Sequence, residues 1–386
     1  MTKWRIIFLL LLTAILLSAC VLPLQHTSPD SAIITSSENE FPGAGDSHFN
    51  EFSVPSPYSS IDFSAITEPR IAILWYAMAD SRVTDVRNAL IPLLDSAGYS
   101  YREYDAENDR YSQLDQVKSA VADGWNILVV NLVADGSATA AEEMVLAASG
   151  HPVIFFDRVP QSKAGTSDPG SEDTYVIIVA PDSEEIYRVE GQMVGTWLTE
   201  HFTDSDLNAD GQISYTFLLE NYTDSDAITG TQQCIESANE LLSTAGFSAL
   251  RYFQPESAEL YQYDPTAQWP SDAANNIIKA DFSSHSETNG NMIELILSDS
   301  AETALGALTA LQSSWYNLGD GVSVTIPLFG IGATAGTRMA IELGQMTGTV
   351  DLNAAGVADA VLSAIRECAA GERDHDRISV IPLPFS

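Results

Sequence analysis

The sequence predicts an α/β protein made of two doubly wound parallel-sheet lobes joined by a hinge. Three observations lead there. From about residue 70, short runs that are apolar throughout alternate with segments whose apolar residues recur at helical spacing, and strands without polar alternation belong to parallel sheets covered on both faces. The alternation restarts after residue 185. The stretch that carries it, about 320 residues, exceeds the size at which one core usually splits.

The elements follow in order. Residues 71–76 read as a buried strand. Asp80 and Ser81 can cap the next helix, where Val83, Val86, Leu90 and Leu94 recur at helical spacing, Pro92 should introduce a kink and Gly98 stops the run. Strands are expected at 99–104, 127–131, 152–156 and 175–179, with helices at about 113–123 and 140–148 between them. The second unit reads as a helix to about His201, strands at 215–219, 292–297 and 324–329, and a helix at 229–245. The lobes are expected at 67–180 plus about 351–377 and at 181–350 plus about 378–386. Ligands of such sheets bind beyond the carboxyl ends of the strands. Interest therefore falls on residues 76–82, Asn131, Asp157, 220–226, 298–300 and 330–334.

The amino end reads as an export signal at 1–20. Lys3 and Arg5 precede an apolar run at 6–17, closed by Leu17-Ser18-Ala19-Cys20. That ending resembles the bacterial lipobox, which implies acylation of Cys20 and a lipid anchor. Residues 21–66 are rich in Ser, Pro, Thr, Gly and acids without helical or strand period, and read as a flexible tether. The chain carries 17 basic and 53 acidic residues for a net charge of -36. A field of that sign repels nucleic acid and anionic lipid, which excludes nucleic acid as a partner. Cys234 and Cys368 could pair or remain free and buried. No Gly-x-Ser-x-Gly elbow, Walker loop or metal-spaced histidine set points to an enzyme.

The sharpest local motif is Asp206-Leu-Asn208-Ala-Asp210-Gly211-Gln212-Ile213-Ser214. Oxygen side chains at positions 1, 3 and 5 with Gly at 6 reproduce the first nine positions of a calcium-binding loop. Position 12 is Phe217 rather than a bidentate Glu, so the missing carboxylate must come from elsewhere, and Glu294, inside the apolar run 292–297, is the candidate. The alternative is a loop of Asx turns beside an unrelated buried Glu.

Residues 76–87, 131–133, 206–212, Ile293-Glu294, 304–311, Phe329-Gly330 and Gly348-Thr349-Val350 together resemble the galactose/glucose-binding protein family, the type I periplasmic receptors of ABC sugar transporters. The resemblance spans nearly the whole chain after Arg70. It implies a structural Ca2+ held by Asp206, Asn208, Asp210, the Gln212 carbonyl, Ser214 and Glu294. It also implies a sugar contacted by Asp80 and Asn131 on its hydroxyls, stacked by Trp269 and bound by Asp226. The chain departs from the family at several contacts. Arg82 stands where the family stacks a Phe, Asp224 replaces its binding His, Gly230 its Arg, and Ser300, Gly332 and Leu352 three further polar groups. Fold and calcium therefore carry over better than the identity of the sugar. Local readings compete at each position: Asp80 as a helix cap, Asn131 as a strand-end turn residue, Trp269 as packing between lobes, Asp226 as loop solvation, and Arg82 as a solvated charge or an anion contact. The expectation is a lipid-anchored, monomeric, extracytoplasmic solute-binding protein that closes on a monosaccharide-like ligand and delivers it to a permease. The alternative is a sensory or degenerate module signalling to a membrane partner.

Overall fold

The computed structural model describes residues 65–160, 175–220, 225–266, 269–285, 292–372 and 374–386. The expected signal with Cys20, the tether through residue 64, and Asp224 lie outside the described residues; Ile66, expected at the tether's end, instead donates its N–H to the Ala369 carbonyl at 2.9 Å and packs on the first-lobe core.

The first five strands are β1 (Arg70–Trp75), β2 (Ser100–Asp105), β3 (Ile127–Val130), β4 (Val153–Phe156) and β5 (Val176–Pro181). They form one parallel sheet in the order 2-1-3-4-5. Helices α1 (Ser81–Ala97), α2 (Arg110–Ala122) and α3 (Ala138–Ala147) connect the first four. The reason for their unbroken apolar runs is visible in the packing. Ile71, Ile73 and Trp75 of β1 join Ile127 and Val129 of β3 on one face, under Val83, Val86, Leu90 and Leu94 of α1. The alternate residues Ala72, Leu74, Leu128 and Val130 face the other way, under Val117 of α2 and Ala140 and Met144 of α3. Each such fully buried aliphatic side chain contributes roughly 1.5–3 kcal/mol. Helix α1 runs without interruption through Pro92 and ends at Gly98 (φ +76°).

The second unit repeats the plan. It comprises α4 (Ser183–Ser205), β6 (Ser214–Leu218), α5 (Ser225–Ala245), β7 (Arg251–Tyr252), α6 (Pro270–Ser284), β8 (Leu295–Ser298), α7 (Ala301–Ser313), β9 (Phe329–Ile331), α8 (Ala335–Glu342) and β10 (Gly348–Asp351). Strands β7, β6 and β8 form one parallel ladder and β9 and β10 another, joined by the Ile296–Leu328 bridge. The spatial order again reads 2-1-3-4-5. The strand expected at 324–329 is shorter than its apolar run. Pro327 has no N–H to give a ladder, and its carbonyl accepts from Ile296 N at 2.9 Å before pairing resumes at Phe329.

The chain then crosses twice more. Helix α9 (Ala354–Ala370) packs on α1 and the first sheet, β11 (Arg377–Val380) adds to that sheet beside β5, and β12 (Leu383–Phe385) returns to pair antiparallel with β10. The segment from 378, expected with the second lobe, thus stays with the first through Val380, because its backbone completes the exposed edge of β5. Three crossings lie side by side at Asp182, Leu352-Asn353 and Ile381-Pro382. Asp182 N donates to the Val380 carbonyl at 3.2 Å, and Asn353 Nδ2 to the Ile381 carbonyl at 2.9 Å. Cys234 and Cys368 are free and buried in separate cores, so the open question of their pairing resolves to two thiols.

Candidate functional site

In each sheet the strand order reverses direction at its founding strand, β1 or β6, and the loops that splay apart there leave a crevice. A cavity of about 930 Å³ opens between the two units, a volume in the range of small-molecule sites. Arg82, Asp135, Asp157 and Arg158 line it from the first lobe. Tyr187, Asp226 and Asp299 line it from the second, and Leu352 from a crossing.

The first-lobe wall is built on a strained turn. Strand β4 ends at Phe156, whose carbonyl accepts from Arg158 N at 2.7 Å, closing a three-residue turn with Asp157 at φ +60°. A non-glycine residue in that region costs free energy, though Asp tolerates it better than most, and such outliers cluster at functional sites. The turn sends two charged side chains into the cleft in succession. Asp157 accepts the fork of Arg82, with Nη2–Oδ1 at 2.7 Å and Nε–Oδ1 at 3.1 Å. The Arg158 guanidinium lies 4.2 Å from the centroid of the Tyr76 ring, and its Nε and Nη2 donate to the Leu132 and Val133 carbonyls at 2.9 Å each. Burial, and then a hydrogen bond to Asp80, raises the Tyr76 phenol well above its usual range, so that ring stays neutral under the guanidinium. The outcome is a fixed array of charged donors and acceptors, with few free rotors, suited to the paired hydroxyls of a polyol.

Of the four expected ligand residues, Asp226 lines the cavity, in the first turn of α5. Asp80 caps α1, accepting from Val83 N at 3.0 Å. Asn131 is buried. Its Nδ2 donates to the Phe156 carbonyl at 3.1 Å and its own carbonyl accepts from Gln113 at 2.7 Å, so it ties the ends of β3 and β4 together. Trp269 is 58% exposed at the start of α6 and is not part of the cavity lining. The role of Gly230 becomes clear: a Cβ there would stand 2.1 Å from the Tyr187 ring, which fills the space and lines the cleft. Sequence reasoning missed Arg158 and Tyr187. Two charged residues directly after an apolar strand were a signal for Arg158; Tyr187 sits at helical spacing like any core residue and gave none.

The loop at 206–214 curls as its spacing demands. Ala209 (φ +58°) and Gly211 (φ +80°) turn the chain. Asp206 accepts from Asp210 N at 3.0 Å and Gly211 N at 2.8 Å, Asn208 from Asp210 N at 2.9 Å, and Asp210 from Gln212 N at 2.9 Å. Glu294 is fully buried beside it, and its two oxygens accept from Asn208 N at 3.2 Å and Ser214 N at 3.0 Å. Burial raises its carboxyl above the usual range, and the Ser214 and Asn208 amides offset part of that rise. The donors gathered here are hard oxygens, the set that Ca2+ takes. Two of the expected ligands are otherwise engaged. The Ser214 hydroxyl donates to the Met292 carbonyl, and Asp210 Oδ2 pairs with Arg251 Nη2 at 3.0 Å. Among the described residues no three acidic, His or Cys side chains converge as a metal cluster. By donor chemistry the loop and Glu294 suit a hard cation, with Asp210 paired to Arg251 in this structure.

Residues 71–373 match the model of a family described as periplasmic binding protein domain. The D-galactose/methyl-galactoside binding periplasmic protein of Haemophilus influenzae is 28% identical over 247 residues, which cover 64% of this chain and 65% of that protein. A periplasmic ribose ABC transporter structure from Conexibacter woesei superposes with a TM-score of 0.59 at 18% identity, covering 83% of this chain and 92% of its own. A solute-binding protein of Actinobacillus succinogenes with bound D-allose gives a TM-score of 0.60 at 15% identity, covering 83% and 98%. At those identities the structural likeness is one of fold. No helix among the described residues is long and apolar enough to cross a membrane.

Proposed function

This chain belongs to the periplasmic binding protein domain family, and from that premise we propose that it is an extracytoplasmic receptor that closes its two lobes on a small sugar or polyol and presents it to an ABC permease. The observation that carries the reading is the cleft: a ligand-sized cavity lined from both lobes, with Arg82, Asp157 and Arg158 fixed as alternating donors and acceptors on one wall and Asp226 and Asp299 on the other. Charged groups held in place by their own partners bind hydroxyl pairs without first paying to become ordered. The relatives named above point to sugars, and the protein is a binder rather than a catalyst in this reading.

Two further parts belong to it. A Ca2+ ion held by Asp206, Asn208, Asp210, the Gln212 carbonyl and Glu294 would stiffen the second lobe by joining its 206–214 loop to the strand that bears Glu294. Acylated Cys20 would hold the receptor at the membrane as a monomer. The sensory alternative draws on one observation, that Asp80, Asn131 and Trp269 are committed elsewhere or lie outside the lining.

A thermal-shift screen of the protein against sugars, sugar acids, polyols and nucleosides tests the reading. A rise in melting temperature with at least one sugar or polyol, lost in Asp157→Ala, is the expected result. No shift with any compound would favour the sensory or degenerate module.

A further inference from the structure

Arg82 occupies an unusual position in the fold. It stands in the first turn of α1, in the first lobe, yet its guanidinium reaches two places at once. One is Asp157, which it holds through the two-pronged contact already described. The other is the Leu352 carbonyl, to which Nη2 donates at 3.0 Å. Leu352 belongs to a crossing: it follows β10 of the second lobe and precedes Asn353, the cap of α9 in the first. Its side chain packs against the core of the second lobe. The guanidinium therefore joins two things that have to move in concert when two lobes close, namely the cleft carboxylate on its strained turn and the Leu352 crossing.

The surroundings make this contact consequential. Asp157 sits in a left-handed backbone conformation that needs an external hold to persist. The Arg82 and Asp157 side chains are 22% and 10% exposed, so their bonds are only lightly screened by water. Asn353 is tied to the first lobe as the cap of α9, its Oδ1 and carbonyl accepting from Gly356 N at 2.9 Å and Val357 N at 3.0 Å, and Leu352 just before it is tied to the first lobe through Arg82. Closure of a two-lobed protein is absorbed by a few such residues at element ends.

We propose that Arg82 is the positioning residue of this cleft, aiming Asp157 at the ligand and tying the Leu352 crossing to the first lobe, so that one guanidinium reports ligand occupancy to the hinge. Its action on ligand rests on the binding-protein reading above; its action on the hinge does not. A lysine cannot replace it, because a single ammonium lacks the fork that spans Asp157 and Leu352.

Hydrogen–deuterium exchange of the full chain without ligand tests the idea, in the wild type, Arg82→Met and Arg82→Lys. Both substitutions should speed exchange at the amides of Asn353, Gly356 and Val357 by about tenfold, with the β3 amides of Leu128–Val130 unchanged. Rates at the crossing within about twofold of wild type in Arg82→Met would overturn the proposal. So would full protection in Arg82→Lys, or equal acceleration of the β3 amides, which would mean a general loss of stability. Myo-inositol and D-allose, titrated by calorimetry, separate the two levels. A hinge effect without binding of either to the wild type supports the tie between Arg82 and the crossing and counts against the ligand half of the proposal and the reading it rests on. Binding without a hinge effect does the reverse.

Discussion

The first-lobe wall of the cleft and the 206–214 loop of the second lobe both engage their carboxylates, and they do so in opposite ways. On the first-lobe wall both lining acids have a cation: Asp157 takes the fork of Arg82, and Asp135 faces Arg158 at 3.9 Å. In the loop the carboxylates of Asp206 and Glu294 are held mainly by backbone N–H groups, and only Asp210 meets an arginine. A paired wall is neutral and ready for an uncharged ligand. An amide-held loop keeps its negative charge and is ready for a cation.

Removal of divalent ions is the strongest way to break that contrast. Chelation should lower the melting temperature of the wild type by several degrees, because an ion that binds only the folded state stabilises by mass action. Glu294→Ala should melt lower still and be insensitive to chelator, since it also strands the Asn208 and Ser214 amides in a buried site. A wild-type melting curve that ignores chelator would mean the amides alone satisfy the loop.

A third acid sharpens the contrast further. Glu190 on α4 is fully buried, and neither of its oxygens has a partner with hydrogen-bond geometry, although the Cys234 thiol and the Ser298 amide face it. Burial, the larger influence, pushes its carboxyl up from 4.5 to about 8, against the pull of Cys234 and with a push from Asp299. This acid is held as the neutral form. The folded chain keeps a proton there that the unfolded chain releases, so stability attributable to Glu190 falls as pH rises from about 4.5 through about 8. Glu190→Gln, an isostere of the protonated acid, should remove that slope: denaturant titrations at pH 5 and pH 8 should show the variant gaining on the wild type as pH rises. Parallel curves would show Glu190 to be charged and paired.

The smallest expected effect concerns Arg251. Its pair with Asp210 is more than a third exposed on both sides, so it contributes little to stability. Arg251→Gln should leave the melting temperature of the chelated protein within about a degree while tightening Ca2+ binding a few-fold by calorimetry, because Asp210 is freed for the ion. Weaker binding in the variant would place Arg251 among the loop's supports instead.

The loop was legible in the sequence because its donors are two residues apart and its curl depends on local backbone, with Gly211 at the position that needs positive φ. Both sheets were legible for a similar reason. Runs such as 71–75 and 127–130 can be buried only on both faces, and the alternate packing of Ile71 and Ala72 onto opposite helical layers is what that pattern requires. Even Glu294 could be found, since a carboxylate in an apolar strand needs a partner.

The cleft was decided by tertiary structure. Arg82 meets Asp157 across 75 residues and Leu352 across 270, separations at which no spacing rule operates. Asn131 and Asp80, expected as ligand contacts, also hold strand ends and a helix start, roles that satisfy polar groups brought together only in the fold. Val380 stayed with the first sheet for the same kind of reason, as the open edge of β5 accepted a strand that its own sequence did not assign. Local chemistry thus determined the lobes, the turn and its oxygen donors. Which distant charges found one another was settled only when the chain closed on itself, because ion pairing depends on distance in space and leaves no period in sequence.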